Sequence, residues 1–141
     1  KKVIAQGQPL LGVCVGMQAL MTHSEENGGV DCLDVFQGSV KLFQGEAITS
    51  QSLKVPHMGW NNVSRVIDHP LWHDIDNQPR FYFVHSYYVD VKEHVIGQCE
   101  YGLPFAAMLA HKNVAAVQFH PEKSHTAGLK LMSNFLAWNG Q

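Results

Sequence analysis

A cysteine between two glycines is the residue of this chain whose surroundings best suit covalent chemistry. Cys14 lies in the string GVCVG, after the apolar run 9–13 and before apolar residues that recur at helical spacing. This pattern predicts a buried strand, then a sharp corner at Cys14, then a helix. Gly12 and Gly16 would leave room where the two elements pass closely. Because a helix start favours a thiolate over a thiol, the sequence predicts Cys14 as a nucleophile.

A possible base for this nucleophile lies near the other end of the chain. The apolar run 114–119 predicts a second buried strand, with His120-Pro121-Glu122 at its tip. Residues two apart in an extended chain point to the same side, so Glu122 can orient one imidazole nitrogen while the other faces a thiol. Cys14, His120 and Glu122 therefore have the residue types of a nucleophile, a base and an orienting carboxylate.

Four strings of residues resemble the motifs of class I glutamine amidotransferases. They are GVCVGMQ at 12–18, PHMGWN at 56–61, YFVHSY at 82–87 and QFHPEKS at 118–124. The two middle strings narrow the resemblance to the glutaminase subunits of imidazole glycerol phosphate synthases. The resemblance runs from about Pro9 to the end of the chain. Four separate motif matches in the right order are more specific than any one of them. It implies an α/β fold with a flavodoxin-like sheet and flanking helices.

The resemblance also implies an activity and a set of site residues. Cys14 would attack the side-chain amide of glutamine, and a thioester would be hydrolysed to glutamate after ammonia leaves. The backbone N–H of Val15 would be one oxyanion donor. The residues implied to line the glutamine pocket are Gln18, Glu26, Ser86 and Tyr87. No cofactor or metal is expected.

A partner follows from the resemblance, because ammonia released into neutral water would be protonated and lost as a nucleophile. The implied partner is a cyclase subunit, which is a (β/α)₈ barrel that uses the ammonia to close an imidazole ring. The residues implied to face it are Met58, Trp60, Tyr82 and Lys123. Aromatic, methionine and cationic side chains are common anchors of such interfaces.

Composition supports one domain over residues 1–141. The chain has 45% hydrophobic residues and a formal net charge of -2, without a basic stripe or a long apolar run. We therefore expect no nucleic-acid or membrane partner and a cytoplasmic location. The other two cysteines, Cys32 and Cys99, are interpreted as ordinary small side chains.

The remaining pattern predicts strands separated by short connections, which implies hairpins. A helix is predicted over 126–139, and its stripe of Leu129, Met132, Phe135 and Leu136 is expected to face the core. Residues 24–34 are polar and glycine-rich and predict a loop. The strands are predicted at 39–43, 53–55, 62–66, 80–84, 95–101, 105–110 and 114–119.

The nucleophile comes unusually early for an α/β fold. The resemblance places several β/α units and a glycine-rich oxyanion loop before this position, so we interpret the chain as an N-terminally truncated domain. Without those units the sheet is expected to have an exposed edge.

Three alternatives stay open from the sequence. The chain could be the glutaminase domain of another class I amidotransferase. It could be a cysteine peptidase, although those enzymes commonly orient the histidine with Asn. It could also be a metal-binding or structural module, given nine histidines that include His69 and His73.

Overall fold

The computed structural model describes all residues from 1 to 141. Its helices are α1 (Lys2–Ala5), α2 (Val15–Gln18), α3 (Glu46–Thr49) and α4 (His125–Ala137), with 3₁₀ turns at Glu26–Gly28, Pro70–Trp72 and Pro121–Lys123. Its strands are β1 (Leu10–Val13), β2 (His23–Ser24), β3 (Val30–Asp31), β4 (Gly38–Leu42), β5 (His57–Asn62), β6 (Ser64–Arg65), β7 (Arg80–His85), β8 (Tyr87–Val91), β9 (Val95–Tyr101), β10 (Leu103–His111) and β11 (Val114–Val117).

The largest sheet has five strands in the order β1-β11-β10-β9-β6. β1 and β11 pair in parallel, whereas the other neighbours are antiparallel. A second sheet has the order β3-β2-β4-β8, and β5 pairs with β7 in a separate two-stranded ribbon. The α/β class and the predicted hairpins are confirmed.

The two apolar clusters of the core surround the five-stranded sheet. Every residue of β11 is buried, which agrees with its continuous apolar run. β1 lies at an edge of the sheet, as expected, but it is only half-buried rather than fully buried. The parallel contact between β1 and β11 matters for function because it joins two segments about a hundred residues apart.

Several predicted elements differ from the structure. Residues 53–55 form no strand, and the short helix α3 precedes them. The predicted loop 24–34 contains the end of β2, a 3₁₀ turn and β3. β5 and β8 were not predicted, because histidine, glycine and asparagine in β5 have low strand propensity and β8 does not alternate cleanly.

The predicted core stripe of α4 is wrong for three of its four residues, whereas Phe135 is half-buried and packs against the core. Leu129, Met132 and Leu136 are exposed, while Gly128, Leu131 and Asn134 are buried. A Cβ added at Gly128 would clash with the carbonyl oxygen of Pro121, so the helix packs most closely along its glycine. None of the α-helices has the length and apolar composition that a membrane-spanning helix needs.

Candidate active site

Cys14 occupies the predicted corner between strand and helix. Its backbone N–H donates to the carbonyl of Val117 across the parallel pair, at 2.9 Å, and α2 begins at the next residue. Its φ of 54° and ψ of −109° lie outside the regions that suit a residue with a Cβ atom. Such strained residues cluster at functional sites, and this one corresponds to a nucleophile elbow.

The two flanking glycines have different roles. A Cβ at Gly12 would lie 2.9 Å from the carbonyl oxygen of Gly16 and 3.1 Å from Cδ1 of Leu20, so the close approach predicted there is confirmed. A Cβ at Gly16 would meet nothing within 4 Å. The expectation that crowding also requires glycine at position 16 is wrong.

The thiol of Cys14 is a weaker acid than the sequence predicted. Burial raises its pKa above the ordinary value, and the negative charge of Glu122 adds to the rise. Hydrogen bonding from the Val15 N–H and from Gln118, together with the charge of Lys123, lowers the pKa by less. A helix of four residues does not outweigh desolvation here, so the expected preference for a resting thiolate is wrong and the thiol depends on a base.

His120 has the predicted carboxylate partner. Its Nδ1 lies 3.2 Å from Oε2 of Glu122. Cys14 directly follows β1, and His120 lies three residues after the end of β11. Because the carboxyl ends of parallel strands meet at one edge of a sheet, both residues lie at the same edge. The Nε2 of His120 is the nitrogen left for proton transfer.

The turn that carries His120 is bound to β7. The His120 N–H donates to the carbonyl of Tyr82 at 2.9 Å, and the Tyr82 N–H donates to Oγ of Ser124 at 2.9 Å. The hydroxyl of Ser124 in turn donates to the carbonyl of His120 at 2.6 Å. Sequence reasoning missed this buried serine, since no local pattern distinguishes it from a surface residue.

The pocket residues expected from the resemblance surround one cavity of about 340 Å³ beside Cys14. The volume is near the lower end of the range for small-molecule sites. His120 and Glu122 are not among its lining residues. Those residues are Cys14, Val15, Gln18, Glu26, Pro56, Val84, His85, Ser86 and Tyr87.

A second glutamine, which the sequence did not single out, touches the nucleophile. Nε2 of Gln118 lies 3.7 Å from Sγ of Cys14, and the residue is fully buried. Its Oε1 accepts from Nε2 of Gln18 at 3.2 Å, and the same Gln18 nitrogen donates to the carbonyl of Tyr87 at 3.1 Å. The available signal was a polar amide at the end of an otherwise apolar buried run.

Three of the four residues expected at a partner interface lie on the ribbon of β5 and β7. Met58 is 63% exposed and Trp60 is 37% exposed. Trp60 lies opposite Tyr82 in the register, with the ring centroids 5.9 Å apart, and it also stacks on His125. Lys123 is exposed in the turn bound to β7. This exposed apolar patch adjoins the strand whose Val84 carbonyl lies 3.8 Å from Sγ of Cys14.

The other candidate groups lack nucleophilic surroundings. All three cysteines are free, and burial raises the pKa of Cys99 to about 12. A larger cavity of about 760 Å³ includes His69 and His73 but contains no cysteine or serine. Nδ1 of His69 accepts the N–H of Leu71.

Comparison with known families agrees with this geometry. The family model of class I glutamine amidotransferases matches residues 1–138. The chain belongs to this family. The resemblance drawn from the four motifs is thereby confirmed at the level of the family.

Similar proteins narrow the relationship further. This chain is 58% identical over 142 residues to the imidazole glycerol phosphate synthase subunit HisH of Pseudomonas syringae, covering 98% of this chain and 66% of that protein. It is 55% identical to HisH 1 of Pseudomonas aeruginosa, with the same coverage. The chain therefore spans 66% of the length of these relatives.

Solved structures agree on the fold. A putative GMP synthase protein from Thermoplasma acidophilum has a TM-score of 0.68 at 21% identity, covering 96% of this chain and 60% of that one. A glutamine amidotransferase from Thermotoga maritima has a TM-score of 0.61 at 18% identity, covering 96% and 50%.

Proposed function

We propose that this amidotransferase is the glutaminase subunit of an imidazole glycerol phosphate synthase, which releases ammonia from glutamine for a cyclase subunit in histidine biosynthesis. The support is the similarity to HisH proteins together with the elbow, the His120–Glu122 contact and the cavity at Cys14. The proposal keeps the expected cytoplasmic location and includes no cofactor. Another class I activity is less well supported, because the most similar relatives named above are HisH subunits.

The mechanism begins with transfer of the thiol proton. His120 takes the proton from Cys14, whose raised pKa makes a base necessary, and Sγ attacks the amide carbon of glutamine. Collapse of the tetrahedral intermediate breaks the C–N bond, and the imidazolium gives its proton to the leaving ammonia. Water then attacks the thioester with His120 as base, which releases glutamate and restores the thiol.

Glu122 and Val15 assist these steps in different ways. Glu122 holds Nδ1 of His120 and stabilises the imidazolium that forms. Val15 is the first residue of α2, so its N–H has no carbonyl partner within the helix. It points at the Cys14 thiol and can donate there to an oxyanion that forms on the bound amide. In this proposal Gln18, Glu26, Ser86 and Tyr87 bind glutamine, with the Glu26 carboxylate near the α-amino group.

The cyclase subunit would bind the exposed patch on β5 and β7. Met58, Trp60 and Tyr82 provide apolar and aromatic area there, and Lys123 provides a cation at the neighbouring turn. Val84 belongs to the same ribbon and contacts Cys14. An interface at this patch would therefore adjoin the nucleophile, as transfer of ammonia between two sites requires.

The observation that carries the proposal is the elbow at Cys14 beside a cavity, at the same edge of the sheet where the Glu122-bound His120 follows β11. A diazoketone analogue of glutamine tests it. Peptide mapping should find the label on Cys14, and excess glutamine should slow the labelling. Label on Cys32 or Cys99 with Cys14 unmodified would refute the assignment. A cysteine peptidase would instead be insensitive to free glutamine.

A further inference from the structure

Two buried histidines lie beside the active site without a role in the mechanism above. His57 is 3% exposed and His85 is 6% exposed, and they are directly opposite each other in the pairing of β5 with β7. Nδ1 of His57 lies 2.9 Å from Nε2 of His85. His85 also lines the cavity at Cys14. Buried imidazoles need matched partners, so the direction of their hydrogen bonds is informative.

The partners define one direction of donation. Nδ1 of His85 lies 2.7 Å from the carbonyl oxygen of Tyr87, and because a carbonyl only accepts, Nδ1 carries the proton. Nε2 of a neutral His85 then accepts from Nδ1 of His57. Nε2 of His57 accepts from Nδ2 of Asn61 at 3.2 Å. The same Asn61 nitrogen donates to the carbonyl of Glu100 at 3.0 Å, which fixes the orientation of the amide.

The surroundings keep both imidazoles neutral. The ring of His57 stacks on Tyr101, with centroids 4.0 Å apart, and on Phe83 at 4.9 Å. The ring of His85 lies 5.2 Å from both Phe43 and Phe105. Burial lowers the pKa of each histidine to about 4, so neither bears a proton on both nitrogens at neutral pH.

The chain of hydrogen bonds ends at a carbonyl that also holds a pocket residue. The Tyr87 carbonyl accepts from His85 and, at 3.1 Å, from Nε2 of Gln18. Gln18 continues through Gln118 to Sγ of Cys14. Ser86 is the single residue that joins β7 to β8, so the wall of the cavity crosses here from the ribbon to the second sheet. The histidine pair contacts the wall at this joint, through the bond from His85 to the Tyr87 carbonyl.

We propose that His57 and His85 are positioning residues: their directed hydrogen-bond chain holds the Tyr87 carbonyl, and through it the Gln18 amide and the 86–87 wall, in the geometry that binds glutamine. The inference rests on the proposed function and extends it from the residues that line the cavity to the pair that fixes its wall. Loss of these hydrogen bonds should weaken substrate binding more than it affects the chemical step.

Four variants of the full chain test the role of the hydrogen bonds. His85→Leu removes both bonds of that ring, and His57→Phe removes the donor to His85 while keeping an aromatic ring on Tyr101. His85→Asn keeps an N–H at the position of Nδ1, which can still donate to the Tyr87 carbonyl. His111→Leu is the matched control, because His111 is exposed and takes no part in this series of hydrogen bonds. Thermal unfolding midpoints report whether each variant folds.

The measurement is labelling of Cys14 by the diazoketone analogue of glutamine, resolved into a half-saturation concentration and a maximal rate. Alkylation by iodoacetamide, which needs no glutamine pocket, is measured in parallel. We expect His85→Leu and His57→Phe to raise the half-saturation concentration about tenfold, since each loses a buried hydrogen bond. Their maximal labelling and alkylation rates should change less than about twofold, and His85→Asn should recover most of the affinity.

Each other outcome counts against the inference. An unchanged half-saturation concentration in His57→Phe and His85→Leu would overturn it. Equal losses in His85→Asn and His85→Leu would show that ring packing, not the hydrogen bond, matters. Failure of the unmodified chain to show glutamine-competed labelling would refute the proposed function, and the inference with it. Failure of the proposed function can be told apart from failure of the inference, because it is seen in the unmodified chain.

Discussion

Cys14 combines an elbow backbone with a thiol that burial keeps protonated. Because the raised pKa keeps the thiol protonated despite the start of α2, the proposed mechanism needs His120 to accept its proton. Glu122 has opposing effects, since its charge raises the pKa of the thiol while its carboxylate holds His120. The benefit of Glu122 therefore depends on the imidazolium that it stabilises during the reaction.

Replacing Glu122 with Gln should separate these effects. The amide keeps the shape but loses the charge that stabilises the imidazolium, so kcat for glutamine hydrolysis should fall about a hundredfold with little change in KM. Glu93→Gln, at an exposed carboxylate away from the site, should leave both unchanged. Steady-state glutamate formation measures both constants. An unchanged kcat in Glu122→Gln would remove this residue from the triad.

Gln118 should affect the thiol itself. Its amide donates to Sγ and lowers the pKa of Cys14, so Gln118→Leu should move that pKa higher. The rate of alkylation of Cys14 by iodoacetamide, followed against pH, should then rise at a higher pH than in the unmodified chain. Gln98→Leu, at an exposed position of β9, is the control. A profile shifted to lower pH would contradict the assigned hydrogen bond.

At the scale of elements, α4 shows why a hydrophobic stripe does not identify a buried face. Leu129, Met132 and Leu136 have helical spacing, yet the helix turns Gly128 toward Pro121 because only a residue without a side chain fits there. Asn134 fills the same buried face by donating to the carbonyls of Leu71 and His73, each at 2.8 Å. These partners are distant in sequence and could not be predicted from local periodicity.

A pair of leucines on α4 tests this orientation. Leu131→Ala should lower the free energy of unfolding by about 2–5 kcal/mol, because it leaves a cavity in the core. Leu129→Ala removes the same atoms from a side chain that is 65% exposed, and should cost less than about 0.5 kcal/mol. Urea unfolding measures both. Equal losses of unfolding free energy in the two variants would mean that Leu129 is buried, as the predicted stripe requires, and would contradict the observed orientation.

The two histidines of the β5–β7 ribbon should make the free energy of unfolding depend on pH. Burial lowers the pKa values of His57 and His85 from 6.5 to about 4 in the folded chain. Between pH 6.5 and 4 the unfolded chain binds more protons, so the free energy of unfolding should fall as pH falls through this range.

His85→Asn removes one of these groups and should flatten the dependence. Urea unfolding at several pH values between 7 and 4 would measure the slope, with His23→Asn as the control at a half-buried position outside the ribbon. The slope of the control should equal that of the unmodified chain. A slope in His85→Asn as steep as in the unmodified chain would show that this histidine does not carry the effect.

Across the whole molecule, the sequence predicted the local geometry of the site better than the packing. The strings around Cys14 and His120 are local, so residue type and spacing were enough to identify the elbow and the carboxylate partner. Strand 95–101 was also predicted with the right bounds, because its pattern is locally strong. The roles of Gln118, Ser124 and the histidine pair depend on contacts between distant segments, which no local pattern specifies.

The proposed function requires Cys14 of this chain to hydrolyse glutamine for a cyclase partner. The most direct measurement is glutamate formation by the chain mixed with that cyclase and its nucleotide ligand. We predict that the unmodified chain and the Cys32→Ala control form glutamate, and that Cys14→Ala lowers the rate about a thousandfold or more. Glutamate formation that persists in Cys14→Ala, or that is absent from the unmodified chain with its partner, would contradict the account.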